Sequence, residues 1–345
     1  MRRKHILITL TNLEEFVLEE AKLREGGLEA KVLEEFPGRL LVSGATAEEL
    51  ASMRTVESVV ELLDEMPVES LSYKDLRKAF REKLRSSEAL KEFFSSIDTL
   101  TVVTRVSEAW ASEAVLARIF SREVKRVFEH VKLKPKGASS TLWVELSLSK
   151  CLIGNLKAKG LHNRSYTAYR HRAMLNPIIA SSMVLMTGVS RSSWICDPFA
   201  GAGTIPIEAC LLGFEKAWAS DISLESVKGS ALNAERAGVD GRVDVLLADF
   251  KALPRGREVG AVVTDPPRGL RTYAREDILK LYYRLFRVLE KTDFVTAVLV
   301  TPYLNLLKKA LGLFKRLELE RVVATLQGGQ EVFLVKLSKG GARNA

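Results

Sequence analysis

The pattern of apolar and polar positions divides the chain into three stretches. In the first, "HILITL" (5–10) is a strand run. "NLEEFVLEEAKLREGG" (12–27) is helical and ends at a glycine pair. "AKVLEEF" and "GRLLVSG" predict strands around the turn at Pro37 and Gly38, "TAEELASM" a short helix, and "VESVVELL" a further strand. This β-α-β-β-α-β order predicts a ferredoxin-like unit over residues 1–65.

The second stretch opens on a charged helical run, "YKDLRKAFREKLRSSEALKEFF" (73–94), followed by the strand "DTLTVVTRV" (98–106). Residues 112–131 predict a helix, with Val115, Ile119, Val124 and Phe128 near helical spacing. "TLWVELSLS" and "CLIGNL" add two strands. Residues 156–174 are polar and basic and suggest a linker, in which His162 and His171 are expected to be solvated or to face a polyanion. From 175 onward, strand and helix signals alternate. The chain then closes on "LERVVATLQGGQEVFLVKL", two strands around a glycine pair. The expected fold class is α/β: a doubly wound, Rossmann-like C-terminal sheet over 175–345 with an antiparallel edge hairpin, preceded by α+β units.

Composition narrows the classes. A chain of 345 residues suggests two or three domains, and 47% hydrophobic residues suffice for sizeable cores. No apolar run approaches the ~20 residues of a membrane span, and the opening "MRRKHILITLTNLEEF" predicts no cleaved leader. Cys151, Cys196 and Cys210 show no paired spacing, which argues against disulfides and metal sites and for a reducing, cytoplasmic location. The net charge of +9 is localised: residues 121–172 hold 12 Lys and Arg against 3 acidic residues. Such clustering suits a polyphosphate partner, since each phosphate contact releases counterions. The candidate RNA contacts are Arg122, Lys125, Arg126, Lys132, Lys134, Lys136, Lys157, Lys159, Arg164, Arg170 and Arg172.

Candidate chemistry lies at the ends of consecutive strands. "DPFAGAGT" (197–204) ends a strand and opens a helix, and Gly201 and Gly203 permit a tight turn close to a ligand. The dinucleotide fingerprint is not met, because Pro206 stands at its third glycine. Asp221 ends the next strand, where a carboxylate can accept both hydroxyls of a ribose. Asp249 ends the third, with Phe250 beside it for an adenine ring. "TDPPRG" ends the fourth. There a carboxylate and a rigid Pro-Pro carbonyl can accept the two N–H groups of an exocyclic amine and free its lone pair for attack on a methyl sulfonium.

These motifs, with "ASDIS…NAERAGV", "LADF" and "YRHRAMLNPIIASSMV", resemble the class I methyltransferase domain of THUMP-containing RNA methyltransferases, above all the tRNA guanine-N2 enzymes that modify the acceptor stem. The resemblance implies an RNA-gripping THUMP domain over 66–155, carried by residues 98–154, with 1–65 as its ferredoxin-like partner. It also implies S-adenosylmethionine as cofactor, and the acceptor stem and 3′ end of tRNA as partner. The implied cofactor residues are Asp197, Phe199, Gly201, Gly203, Thr204, Asp221, Ile222, Asp249 and Phe250; the implied catalytic ones are Asp265, Pro266, Pro267 and Arg268. Arg268 departs from the family, which has an aromatic there; stacking on the base or holding a phosphate is its expected task, with Tyr273 as the other source of a stacking face.

Two other readings remain. "DPPRG" also resembles uracil-C5 RNA methyltransferases, whose chemistry needs a cysteine nucleophile after the motif, and no cysteine follows Cys210. The third is an RNA-binding protein of methyltransferase shape without activity.

Overall fold

Strand-forming runs rich in Val, Ile and Leu build two sheets. The computed structural model describes residues 3–24, 27–107, 110–253, 259–268 and 275–340. The first sheet contains β1 (Lys4–Ile8), β2 (Lys31–Phe36), β3 (Arg39–Ser43), β4 (Ser58–Pro67), β5 (Thr99–Val106), β6 (Lys132–Leu133), β7 (Ser140–Leu146) and β8 (Lys150–Ala158). Its order is β2-β3-β1-β4-β8-β7-β5-β6. The N-terminal units expected to be separate are therefore joined: β4 pairs antiparallel with β8 from Val59 opposite Ala158 to Pro67 opposite Lys150. Gly154 makes this seam possible, because a Cβ there would sit 2.8 Å from the Glu61 carbonyl oxygen.

Helices cover this sheet: α1 (Glu14–Leu23), α2 (Ala47–Ala51), α3 (Tyr73–Ser86), α4 (Glu88–Ser95) and α5 (Glu113–Val127). The charged run 73–94 is two helices rather than one. Ser87 ends α3, and its hydroxyl caps α4 by accepting the Leu90 N–H. The buried stripe of α5 is Leu116, Phe120 and Val124, one residue round from the expected face, because these side chains meet Phe80 and Phe94.

The second sheet contains β9 (Trp194–Asp197), β10 (Ala217–Asp221), β11 (Val243–Leu247), β12 (Val259–Thr264), β13 (Thr296–Thr301), β14 (Leu317–Gln327) and β15 (Gln330–Lys339). In the order β11-β10-β9-β12-β13-β15-β14, the first five run parallel and the last two are antiparallel, as the pattern predicts. Alternation along β12 sends Ala261 and Val263 to one core and Val262 to the other. Helices flank both faces: α6 (Pro177–Met186), α7 (Thr204–Leu211), α8 (Leu224–Arg236), α9 (Arg275–Leu289) and α10 (Leu304–Leu311). The crevice where strand order reverses lies between β9 and β12. Among the described residues, no helix is long and apolar enough to cross a membrane.

Two features bind the halves together. Leu13 and Phe16 beside and within α1 are fully buried in the same core as α6. The expected linker is also packed: Tyr166 is buried, and Asn233 of α8 accepts the N–H groups of Ala168 and Tyr169 and donates to the carbonyls of Tyr169 and Ala202. A polar composition suggested a solvated tether. In the fold, its polar groups find partners inside and make a strap.

Candidate active site

A cavity of about 1190 Å³ opens outside the carboxyl ends of β9, β10 and β12. It gathers eight of the nine residues expected to hold a cofactor, all but Gly203, and all four of the Asp-Pro-Pro-Arg motif. Gly201 and Gly203 have φ of +52° and +77°, in the left-handed region that favours glycine. A Cβ on Gly203 would lie 2.2 Å from the Ser230 hydroxyl of α8, so the turn needs glycine for space as well as for conformation.

The carboxylates are held in distinct ways. Asp221 accepts the Gly201 N–H at 3.0 Å and the Ser223 N–H at 2.9 Å, which ties the end of β10 to the glycine turn. Asp197 is 2% exposed and accepts the Phe199 N–H at 3.0 Å and the Thr264 hydroxyl at 2.6 Å. Burial raises its carboxyl to about 7, and the nearby charges of Asp265 and Asp221 act in the same direction. Asp249 caps a short 3₁₀ turn by accepting the Lys251 N–H. The Phe250 ring stacks on Phe199 with centroids 5.1 Å apart, and Ile222 is 76% exposed at the cavity edge. Several acids facing one cavity suit a cationic ligand, and the aromatic pair with Ile222 suits a flat ring.

Arg268 does something other than expected. Its guanidinium folds back on Asp265, donating from Nε to Oδ1 at 2.9 Å and from Nη2 to Oδ2 at 2.8 Å. The same Nη2 donates to Gln327 Oε1 at 3.0 Å, and Gln327 Nε2 donates to the Met174 carbonyl at 3.3 Å. With a side chain only 9% exposed, Arg268 is free neither to stack on a base nor to reach a phosphate here. The reason is electrostatic: burial pushes the Asp265 carboxyl up, and the adjacent guanidinium partly offsets this. Tyr273 lies outside the described residues.

The expected RNA contacts separate into groups. Arg122, Lys125, Arg126, Lys132, Lys134 and Lys136 lie exposed on or just after α5 and around β6. Arg126 also pairs with Glu123, and Lys125 donates to the carbonyls of Glu129 and Val131. Lys157 is paired with Glu61 at 2.7 Å, while Lys159 is exposed. Arg170 and Arg172 line the cavity. Arg164 is a correction: it is buried, with Nε 3.0 Å from Glu208 Oε1, and belongs to the interior.

Glu208 itself was overlooked in the sequence. This residue of α7 is fully buried and accepts from Arg54, Arg164, Tyr166 and Ser181. An acid inside the apolar run "TIPIEACLLG" was the available signal. Tyr169, His171 and Met174 of the strap also line the cavity unforeseen. Gly229 within α8 hinted at the first, because a Cβ there would lie 2.2 Å from the Tyr169 ring. His162, by contrast, sits 2.7 Å from Glu57. The three cysteines are buried and unbridged, and burial pushes the thiols of Cys196 and Cys210 up to about 12 and about 11, so none is an activated nucleophile. Among the described residues, no group of His, Cys, Asp and Glu could hold a metal.

Residues 164–328, which carry every cavity motif, match the family UPF0020, described as RMKL-like, methyltransferase domain. This stretch is similar to a methyltransferase domain. The chain is 29% identical over 175 residues to a ribosomal RNA large subunit methyltransferase K/L of Shewanella baltica, covering 38% of this chain and 25% of the relative. It is 35% identical over 112 residues to a tRNA (guanine(10)-N2)-dimethyltransferase of Methanothermobacter thermautotrophicus (32% and 33%). It is 27% identical over 220 residues to a tRNA (guanine(6)-N2)-methyltransferase of Archaeoglobus fulgidus (54% and 56%). The matches thus span from a quarter to about half of these relatives' lengths. The fold extends further than the sequence likeness. The crystal structure of TrmN from Thermus thermophilus superposes with a TM-score of 0.80 at 22% identity, covering 98% of this chain and 99% of that one. The C-terminal and N-terminal sheets thus share one architecture with that protein.

Proposed function

We propose that the protein transfers a methyl group from S-adenosylmethionine to an exocyclic amine of tRNA, guanine N2 foremost. The observation that carries this reading is the position of Asp265, Pro266 and Pro267. They end β12 beside the crevice and line one cavity with Asp197, Asp221, Asp249 and Phe250. The amine is a weak nucleophile because its lone pair is delocalised into the base. Asp265 would accept one of its N–H groups and the Pro266 carbonyl the other, turning the lone pair toward the donor.

The cavity residues fit S-adenosylmethionine by charge and shape. Its sulfonium and ammonium are cations that would face Asp197, its ribose diol would meet Asp221, and its adenine Phe250 and Ile222. The bound cofactor supplies an electrophilic methyl group. An ammonium beside Asp197 would bring that carboxyl back down and keep it ionised. Two relatives named for tRNA guanine-N2 methylation support this substrate. The exposed cations around α5 and β6 would grip the tRNA acceptor end, as a THUMP domain over 66–155 would do.

Arg268 favours a second reading. With both Asp265 oxygens engaged, a site without activity is also consistent with this geometry. Turnover separates the two. Purified protein, S-adenosylmethionine and either tRNA or ribosomal RNA would be incubated and digested for nucleoside mass spectrometry. N2-methylguanosine from tRNA is the expected product. A methyl on uridine C5, or modification of ribosomal RNA alone, would overturn the substrate, and no methyl on any RNA would establish the inactive reading.

A further inference from the structure

A base entering the cavity would leave the phosphates of its strand at the mouth. One side of that mouth is α9. Lys280 and Arg284 line the cavity, and Tyr283 and Arg287 continue the same stripe, since positions i, i+3, i+4 and i+7 share one helix face. All four are exposed, with Tyr283 42% so and its ring leaning on Phe314 at 5.4 Å between centroids. Arg170 and Arg172 of the strap line the same cavity and are also exposed. Of the five cations only Lys280 has an ion-pair partner among the described residues, Asp277 at 3.6 Å. Unpaired like charges ringing one opening repel one another, and an anion there relieves that cost.

We propose that the exposed stripe of α9, together with Arg170 and Arg172 of the same cavity, is a second RNA-binding surface that holds the phosphates flanking the target nucleotide. It deepens the reading of the protein as an RNA methyltransferase and rests on it. The N-terminal cations would select and hold the RNA at a distance. The α9 stripe would hold the strand where the base leaves its stack, and Tyr283 offers a ring edge for a neighbouring base. Its cations lie outside residues 121–172 and follow the acidic first turn of α9, so the charge run in the sequence did not expose them.

The test compares two charge-matched double variants of the full chain, Arg284→Gln with Arg287→Gln on α9, and Lys308→Gln with Lys309→Gln on the exposed face of α10. Binding to unmodified tRNA is measured across a salt series. Each lost phosphate contact flattens the log–log salt slope by about 0.7–0.9, so the α9 variant should be flatter by about 1.5 and the α10 variant unchanged. Methyl transfer to tRNA, as kcat/KM, should fall about tenfold in the α9 variant through KM, with calorimetric affinity for S-adenosylmethionine retained. Equal slopes in all three proteins, or equal losses in both variants, would overturn the second surface while leaving RNA methylation standing. A parent that binds no RNA would overturn both.

Discussion

Glu208 and Asp197 are both fully buried carboxylates, eleven residues apart around the glycine turn, and they are stabilised in opposite senses. For each, burial alone drives the carboxyl up. At Glu208, Arg54 and Arg164 outweigh burial and hold the group below its ordinary range, helped by the Tyr166 hydroxyl. At Asp197 no cation answers among the described residues, and two further aspartates reinforce burial. One is a completed joint between the N-terminal sheet, the strap and α7. The other is an acid at a cavity, raised by burial and by its acidic neighbours. A buried acid paired with cations marks architecture, and one raised by burial beside a cavity is a candidate for ligand binding.

Breaking the joint should have the largest effect. Glu208→Ala strands two arginines, and removing one partner of a buried pair costs about 3–5 kcal/mol, to be read from denaturant unfolding. Glu208→Gln should cost less. The sign with pH follows from the depressed carboxyl: the stabilisation is present above the unfolded value and lost as pH falls through the folded one. A Glu208→Ala protein as stable as the parent would remove the joint from the comparison.

At the cavity, Asp265→Asn should lower turnover about 10²–10⁴-fold with cofactor affinity retained, since it removes an acceptor the amine needs. Single-turnover methyl transfer and calorimetry on the same preparation would show whether the two separate. Asp221→Ala should weaken S-adenosylmethionine by about 1.5–3 kcal/mol, the worth of a charge-assisted hydrogen bond, and an unaltered calorimetric isotherm would move the ribose elsewhere.

Smaller effects sharpen the contrast in pH behaviour. The folded Asp197 carboxyl sits at about 7, above the 3.8 of an exposed one, so it binds its proton more tightly when folded. Its contribution therefore declines as pH rises from about 4 through about 7, opposite to that of Glu208. Asp197→Asn should flatten that decline, measurable as unfolding midpoints at pH 5 and pH 8. Arg268→Ala removes the cation that offsets burial at Asp265, so the acid limb of the kcat/KM profile should move to higher pH. An unmoved limb would show that Arg268 does not set that ionisation.

The alternation of apolar residues was enough to predict every strand and helix of the C-terminal sheet and its edge hairpin, because those periods are local. The strand-end acids were legible for the same reason: a doubly wound sheet brings consecutive strand ends to one edge. Pairing across distance was not legible. The β4–β8 seam joins residues about 90 apart in sequence, and no local period records it. Arg164 counted toward a basic surface until Glu208 claimed it, since charge in a sequence has no inside or outside. Arg268 likewise carried its planarity and charge in the sequence. Only the fold, by burying Asp265 beside it and setting Gln327 against its other edge, decided where that charge would go.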